Sequence, residues 1–332
     1  MTLPRDVLVL ERHKIAERLR LDECIAAVES AFGALGRGEG HRSAALVAHV
    51  EGGGFHVKAA LFGNGRSWFV AKANANFPGN PGRFELPTIQ GTILVFDGND
   101  GRLRAVMDSA EITLLRTAAA TAVAAKHLAR AESQTVTVCG CGEQGRAQLA
   151  ALKLVLPIAR AYACDREPCQ ADRFAAELSI DLGIEIQPTA NLAEAARRSD
   201  VIVTCTPSRE FLLARDHVRP GTFIAAVGAD YAEKREIHPA LLAAAKVVVD
   251  DLEQCATSGD LHHALESGDM TRDRVHAELA EVVARTKPGR TSAAEITLFD
   301  STGIALEDAA AAVLVVERAL THGGVGTVLL GT

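Results

Sequence analysis

An α/β fold, in which a doubly wound parallel sheet follows a separate α+β region, is predicted by three observations. From Thr135 onward, strand-like and helix-like segments alternate. A glycine-rich turn, Gly140-Cys141-Gly142-Glu143-Gln144-Gly145, stands where one of those strands gives way to a helix. Met1 to Asp108 lacks this alternation and shows apolar runs divided by glycine instead.

The glycine turn organises the rest of the chain. It follows the short β-rich run Thr135–Cys139 and opens an apolar-periodic segment that reaches Leu156; a second run, Ala159–Cys164, ends at Asp165. Gly140 permits a tight turn, Gly142 lets backbone approach a pyrophosphate, and Gly145 lets the helix lie close to the sheet. The first helical N–H groups and the positive end of the helix dipole then face the phosphates, which assigns Glu143 and Gln144 to the same site. Asp165 lies twenty residues beyond Gly145, where a carboxylate takes the ribose 2′-OH of NAD. Arg166 adjoins it and can accept a 2′-phosphate, so NAD is the expected cofactor and NADP stays open. The pattern is that of a Rossmann dinucleotide-binding domain.

The chain has 332 residues, enough for two domains, and a net charge of −7. No basic tract exceeds a pair of Lys or Arg, which excludes nucleic acid as the expected partner. No apolar run approaches the ~20 residues of a membrane span, and no signal peptide is legible. Seven cysteines, an odd number, read as reduced thiols of a cytoplasmic protein. Cys139, Cys141, Cys164 and Cys169 suggest a zinc cluster, but small-residue packing explains them better, and no metal is expected.

In order, Asp22 is placed to cap a helix whose apolar residues Ile25, Val28, Phe32 and Leu35 share a face, ending at Gly36 and Gly38. Strand-like runs follow at 44–50, 55–61, 67–72 and 89–97, with Gly63-Asn64-Gly65 and Asp97–Gly101 as turns. Asn76–Gly82 is too rich in glycine and proline for either element and reads as a loop. Asp108 with Glu111 caps a long helix from Ser109 to about Ala131. Beyond the glycine turn, strands fall at 160–164, 184–187, 201–205, 223–227, 246–250 and 295–299. Helices fall at 143–156, 168–182, 192–198 and 239–245. A final apolar helix, Ile304–Leu320, returns to the first domain. The domains are therefore 1–115 with 304–332, and 116–303.

Opposite a nicotinamide, three cations attract attention: Arg42, Lys72 and Arg116. Arg116 follows the buried-stripe residue Leu115 in an alanine-rich helix. It either clamps a substrate carboxylate with its guanidinium fork or rides on the helix's wet face. Lys72 ends an apolar strand, where edge lysines are also common. Asp230 sits past the carboxyl end of a buried strand, placed to meet a substrate nitrogen or to serve as a turn acid. Thr204, Thr206 and Ser208 follow another strand and can touch the nicotinamide ribose or amide. Asp250 and Asp251 read as strand-end helix caps, and His262 and His263 as surface histidines.

Several motifs together resemble the ornithine cyclodeaminase/mu-crystallin family over essentially the whole chain. They are Leu86-Pro87-Thr88-Ile89-Gln90-Gly91, the stretch Leu115-Arg116-Thr117-Ala118-Ala119-Ala120-Thr121, the glycine turn, Val227-Gly228-Ala229-Asp230 and Ser301-Thr302-Gly303-Ile304-Ala305. The resemblance implies a substrate and dimerisation domain, completed by the final helix, around a central Rossmann domain, and hence a homodimer. It implies that Arg42, Lys72, Thr88 and Arg116 line a carboxylate pocket and that Asp230 is the catalytic carboxylate. Val227 and Ser301 join the cofactor-binding set by the same motifs. One departure is informative: ornithine-deaminating members look to carry glutamate near the position of Lys58. A lysine there repels an ornithine ammonium by about 4 kcal/mol at ~4 Å and an effective dielectric of ~20.

The expected activity is NAD(P)H-dependent reduction of a small imino acid to an amino acid, reversible as an amino acid dehydrogenase. The substrate would be a cyclic ketimine such as Δ1-pyrroline-2-carboxylate, or the imine of an α-keto acid. The alternatives are ornithine cyclodeamination with NAD recycled in the site, and a non-catalytic, crystallin-like nucleotide binder.

Overall fold

A computed structural model describes residues 6–39, 44–63 and 66–330. Arg42, and Asn64 and Gly65 of the expected turn, lie outside the described residues. The chain forms two compact units, Met1–Arg116 with Ile304–Thr332, and Thr117–Gly303.

In the first unit the elements are β1 (Val7–Leu10), α1 (Arg12–Ala16), α2 (Leu21–Gly36), β2 (Ala44–Val50), β3 (Gly53–Gly63), β4 (Ser67–Asn76), α3 (Asn80–Phe84), β5 (Ile89–Asp97) and β6 (Leu103–Asp108). Then α4 (Ala110–Leu128) begins and runs on into the second unit. In the second unit follow β7 (Thr135–Cys139), α5 (Glu143–Val155), β8 (Arg160–Cys164), α6 (Pro168–Leu182), β9 (Glu185–Pro188), α7 (Leu192–Arg198) and β10 (Val201–Thr204). It is completed by β11 (Phe223–Ala226), α8 (Pro239–Ala244), β12 (Lys246–Val249), α9 (Leu252–Ser258), α10 (Asp260–Glu266), β13 (Ala277–Glu278), α11 (Leu279–Val283) and β14 (Thr297–Asp300). The chain returns to the first unit with α12 (Ala305–His322) and β15 (Gly326–Val328).

The first unit is a seven-stranded sheet, ordered β15-β1-β6-β5-β4-β3-β2. All its pairings are antiparallel except β1 with β6. α12 packs on α2, β3 and β4. Two expectations are corrected here. Asp22 does not cap α2: the cap position is Arg20, and the Asp22 carboxylate pairs with the Arg20 guanidinium at 3.0–3.1 Å. The presumed loop at 76–82 contains the end of β4 and the start of α3, because Pro81 is tolerated in a helix's first turn, where no N–H is needed. Asp108 does cap the following helix, accepting from Ala110 N at 2.8 Å. Glu111 instead meets Arg12 at 3.1 Å.

The second unit is an eight-stranded sheet, ordered β13-β12-β14-β11-β10-β7-β8-β9, and every pairing in it is parallel. Its central strands β14, β11, β10 and β7 are almost entirely buried and largely apolar, as a sheet covered on both faces requires, with Thr137, Thr204, Thr297 and Asp300 as their buried polar members. The order reverses beside β7, so the glycine turn stands at the switch point, where doubly wound sheets place their ligands.

Candidate functional site

The glycine turn has the geometry its spacing predicts. Gly140 adopts φ +104°, and a side chain there would meet the Cys205 carbonyl at 2.8 Å. A Cβ on Gly145 would fall 2.0 Å from Gly140 O, so only glycine lets α5 start this close to β7. Gly142 differs, since a Cβ there would meet nothing within 4 Å. Its backbone faces open space at the start of α5, and no side chain caps the helix. Gln144 Nε2 is buried without a hydrogen-bond partner. An open backbone cradle, a thirteen-residue helix aimed at it and an orphaned amide donor fit a dinucleotide pyrophosphate.

Asp165 lies just past β8. Its carboxylate accepts from Cys141 N at 2.8 Å and from Glu167 N at 3.0 Å, so it also braces the glycine turn. An open hollow beside it is lined by Pro168, Ala171, Pro188, Thr189 and Ala190. The Arg166 side chain is 93% exposed and lies 3.6 Å from Glu167.

The ends of β10 and β11 are fastened by a residue that the sequence did not single out. Glu236 is fully buried, and its carboxylate accepts from Thr206 N, Thr206 Oγ1 and Gly228 N at 2.7, 2.7 and 3.0 Å. Burial pushes its pKa up, opposed by those same donors. Three more buried acids continue inward. Asp260 accepts from Glu236 N and Ile237 N, and Asp300 accepts from Asp260 N and Leu261 N. Asp250 accepts from Ser301 Oγ at 3.0 Å and Gly303 N at 2.6 Å. Asp250 is thus no helix cap, whereas Asp251 is, accepting from Gln254 N. Burial pushes the Asp300 carboxyl up to about 7 and that of Asp260 well above its usual range.

Among the candidates for the nicotinamide end, Thr204 is fully buried and the Thr206 hydroxyl is committed to Glu236 and Ser208 N. Ser208 Oγ donates to Glu210 O. Val227 is half-buried and bonded to Thr204 O, and Ser301 is buried on Asp250. The Asp230 side chain is 41% exposed and pairs with Lys234 at 2.5 Å.

In the first unit, Lys72 and Arg116 come together. Both are buried, which removes the wet-face reading of Arg116. Lys72 Nζ lies 2.7 Å from the Asp308 carboxylate, Arg116 Nη1 lies 2.7 Å from Glu307, and Arg116 Nε lies 2.9 Å from Asp308. Burying four charges is tolerable only because they are paired in this way. Desolvation, with Arg116 and Lys58 nearby, brings the Lys72 pKa down to about 8 despite Asp308. The acids come from α12, which reads in sequence only as an apolar helix. The legible signal was two adjacent carboxylates inside an otherwise buried stripe. Lys58 stands directly opposite Lys72 in the β3–β4 ladder, hence on the same face. Thr88 is half-buried just before β5, and its carbonyl accepts from Phe77 N.

His262 and His263 are half-buried rather than fully at the surface, their side chains being 21% and 11% exposed.

Residues 5–323 match the model of the ornithine cyclodeaminase/mu-crystallin family. Three solved structures resemble the chain along nearly its whole length. An archaeal alanine dehydrogenase dimer with bound NAD is 36% identical, has a TM-score of 0.93, and is matched over 97% of this chain and 99% of that one. The Δ1-pyrroline-2-carboxylate reductase of Thermococcus litoralis, in complex with NADH and L-proline, is 34% identical with a TM-score of 0.91, over 97% and 100%. The iminosuccinate reductase of Paracoccus denitrificans, in complex with NAD+, is 31% identical with a TM-score of 0.90, over 98% and 100%. With the family model matched over residues 5–323, the chain belongs to the ornithine cyclodeaminase/mu-crystallin family.

Proposed function

We propose that this protein is an NADH-dependent reductase of small imino acids, reversible as an amino acid dehydrogenase. The observation that carries the reading is the buried pair Lys72 and Arg116, with Lys58 facing Lys72 across the ladder. Such a basic group suits the carboxylate of a small acid and repels the distal ammonium of a diamine. By name the three structural relatives are an alanine dehydrogenase, a Δ1-pyrroline-2-carboxylate reductase and an iminosuccinate reductase, and all hold NAD or NADH.

In this reading Arg116 and Lys72 clamp the substrate carboxylate, with Arg42 and Thr88 completing the pocket. Glu307 and Asp308 hold the two buried cations in place. Asp230 meets the substrate nitrogen and relays to it a proton taken from solvent, and in the resting structure its carboxylate pairs with Lys234 at 2.5 Å. Gly140, Gly142, Glu143, Gln144 and Gly145 hold the pyrophosphate, and Asp165 takes the adenosine ribose. Thr204, Thr206, Ser208, Val227 and Ser301 shape the nicotinamide end. When bound, the reduced nicotinamide supplies the hydride for the C=N carbon. Arg166 leaves room for NADP as a weaker alternative.

We further propose a homodimer in the cytoplasm. All seven residues of the edge strand β2 are exposed, including Leu46, Val47 and Val50, and Phe55, Val57 and Phe69 are exposed on the adjoining strands. An exposed apolar edge of this kind calls for a covering partner, and the archaeal relative is a dimer. Among the described residues no helix is long and apolar enough to cross a membrane.

The test is NADH oxidation with Δ1-pyrroline-2-carboxylate, Δ1-piperideine-2-carboxylate, iminosuccinate and pyruvate plus ammonia. The expected result is stoichiometric oxidation with at least one of them, lost in Asp230→Asn. Conversion of ornithine to proline and ammonia without net NADH change would make the protein a cyclodeaminase. Nucleotide-dependent thermal stabilisation without turnover of any substrate would make it a binding protein.

A further inference from the structure

Helix α10 carries two histidines and a glutamate whose lone pairs meet. His262 Nδ1 lies 3.2 Å from the Ala256 carbonyl, and His263 Nε2 lies 2.9 Å from the Lys234 carbonyl. A carbonyl oxygen only accepts, so each ring donates its proton at that nitrogen. In the neutral rings this leaves the lone pairs on His262 Nε2 and His263 Nδ1. These atoms lie 3.4 and 3.9 Å from Glu266 Oε2, and all three ligand atoms lie within 4.8 Å of one another. Three electron-pair donors therefore converge, and only a cation among them makes the arrangement favourable. A backbone carbonyl on the far ring nitrogen is also what fixes the orientation of a metal-ligating imidazole and raises its basicity.

We infer that His262, His263 and Glu266 bind one divalent transition-metal ion of the zinc type, with water completing its coordination. Two imidazoles and one carboxylate select such an ion over magnesium or calcium, which prefer all-oxygen sites. The histidines are held by the fold and the carboxylate is 64% exposed, so the ion enters from solvent. The site also bears on the proposed chemistry. His263 holds the carbonyl of Lys234, whose ammonium pairs with Asp230, so occupancy stiffens the segment that carries that aspartate. This consequence rests on the role proposed for Asp230; ion binding itself does not.

The experiment uses the full chain, stripped with chelator and titrated with Zn2+ by calorimetry, with Co2+ as a spectroscopic reporter. One equivalent of Zn2+ is expected per wild-type chain, with a metal-dependent rise in melting temperature. Both should vanish in Glu266→Gln and in His262→Gln, while the metal-free melts of all three proteins coincide. Co2+ should show ligand-field bands without thiolate charge transfer. Equal Zn2+ binding by wild type and both variants would overturn the assignment, as would thiolate bands, which would place the ion on cysteine. Absence of binding would leave a proton as the cation among these groups and would equally overturn it. A variant whose metal-free melt falls is replaced by Glu266→Lys, which must abolish binding by charge. NADH oxidation by the same variants reads the reductase activity separately, so the two proposals fail independently.

Discussion

Thr206 is bound twice by one atom: its backbone N–H and its hydroxyl both donate to Glu236 Oε1, each at 2.7 Å. The other carboxylate oxygen takes the N–H of Gly228 at 3.0 Å. One buried side chain thus sets the distance between the loop after β10 and the loop that leads to Asp230.

Glu236→Gln should loosen that junction. The amide can satisfy Thr206 or Gly228 but turns a donor toward one of them, and each buried donor left unmet costs about 1–3 kcal/mol. A lower melting temperature and weaker NADH binding are expected together, read by thermal melts and by nucleotide fluorescence titration. Wild-type values for both would show that Glu236 does not organise the nucleotide end.

The buried acids predict an unusual slope of stability with pH. Asp300 titrates in the fold at about 7, and Glu236 and Asp260 are also shifted upward by burial, while their unfolded values are ordinary. Between about pH 4 and 7 the folded chain therefore holds more protons than the unfolded one. This contribution to stability is complete below about 4 and is lost as pH rises through about 7. Glu295 works the other way: burial pushes its carboxyl up, but Lys246 and Thr291 outweigh this and bring it down to about 2, so its contribution is lost only on strong acidification. Melting temperatures of Asp300→Asn should fall less steeply between pH 5 and 7.5 than those of wild type. Parallel curves would remove Asp300 as the source.

Lys72 gives the activity its own pH limit. Its ammonium is required for the carboxylate clamp and, with a pKa of about 8, is neutralised as pH rises past that value. KM for the imino acid should therefore climb above pH 8 while NADH affinity stays level. Lys72→Met should raise KM at neutral pH by 10-fold or more, since truncating one partner of a buried charge pair costs about 2–5 kcal/mol. A flat KM profile through pH 9 would take Lys72 out of the clamp.

What was legible in the sequence follows from how local the causes are. The strands and helices around Gly140–Gly145 could be read because each side chain's role is set by neighbours within a few residues, such as the clash of Gly145 with Gly140 O. The partners of Lys72 and Arg116 could not, since Asp308 and Glu307 lie 236 and 191 residues away and sit in a helix whose pattern is apolar. Glu236 was hidden in the charged run Glu233-Lys234-Arg235-Glu236, and only the return of the chain beneath β10 and β11 gives it a task. β6 was missed because Arg102 before it and Arg104 within it disguise a buried strand; Arg104 itself is buried.

Cofactor choice should turn on Asp165. Its carboxylate would repel a 2′-phosphate, and it stands beside an open hollow with Arg166 exposed next to it. Asp165→Ser is expected to lower kcat/KM with NADH by about 10- to 100-fold, the worth of one charged hydrogen bond of about 1.5–3 kcal/mol. It should raise kcat/KM with NADPH. Because Asp165 also accepts from Cys141 N, the melting temperature should drop modestly. If NADPH already outperforms NADH in wild type, Asp165 does not select the cofactor.

Lys58 should decide between imino acid and diamine. It faces Lys72 across a regular antiparallel ladder, ten residues of β4 being paired one to one with β3, so no slip in register can separate the two ammonium groups. A substrate ammonium brought to this face meets like charge, while a second carboxylate, as in iminosuccinate, meets a partner. Lys58→Glu reverses the local charge by two units. It should weaken a dianionic imino acid far more than a monoanionic one, read as the ratio of their KM values. Ornithine, inert with wild type, should then bind and raise the melting temperature of the NAD-loaded variant. If wild type already releases ammonia from ornithine, the lysine is not a filter, and the reductase reading loses its basis for excluding diamines.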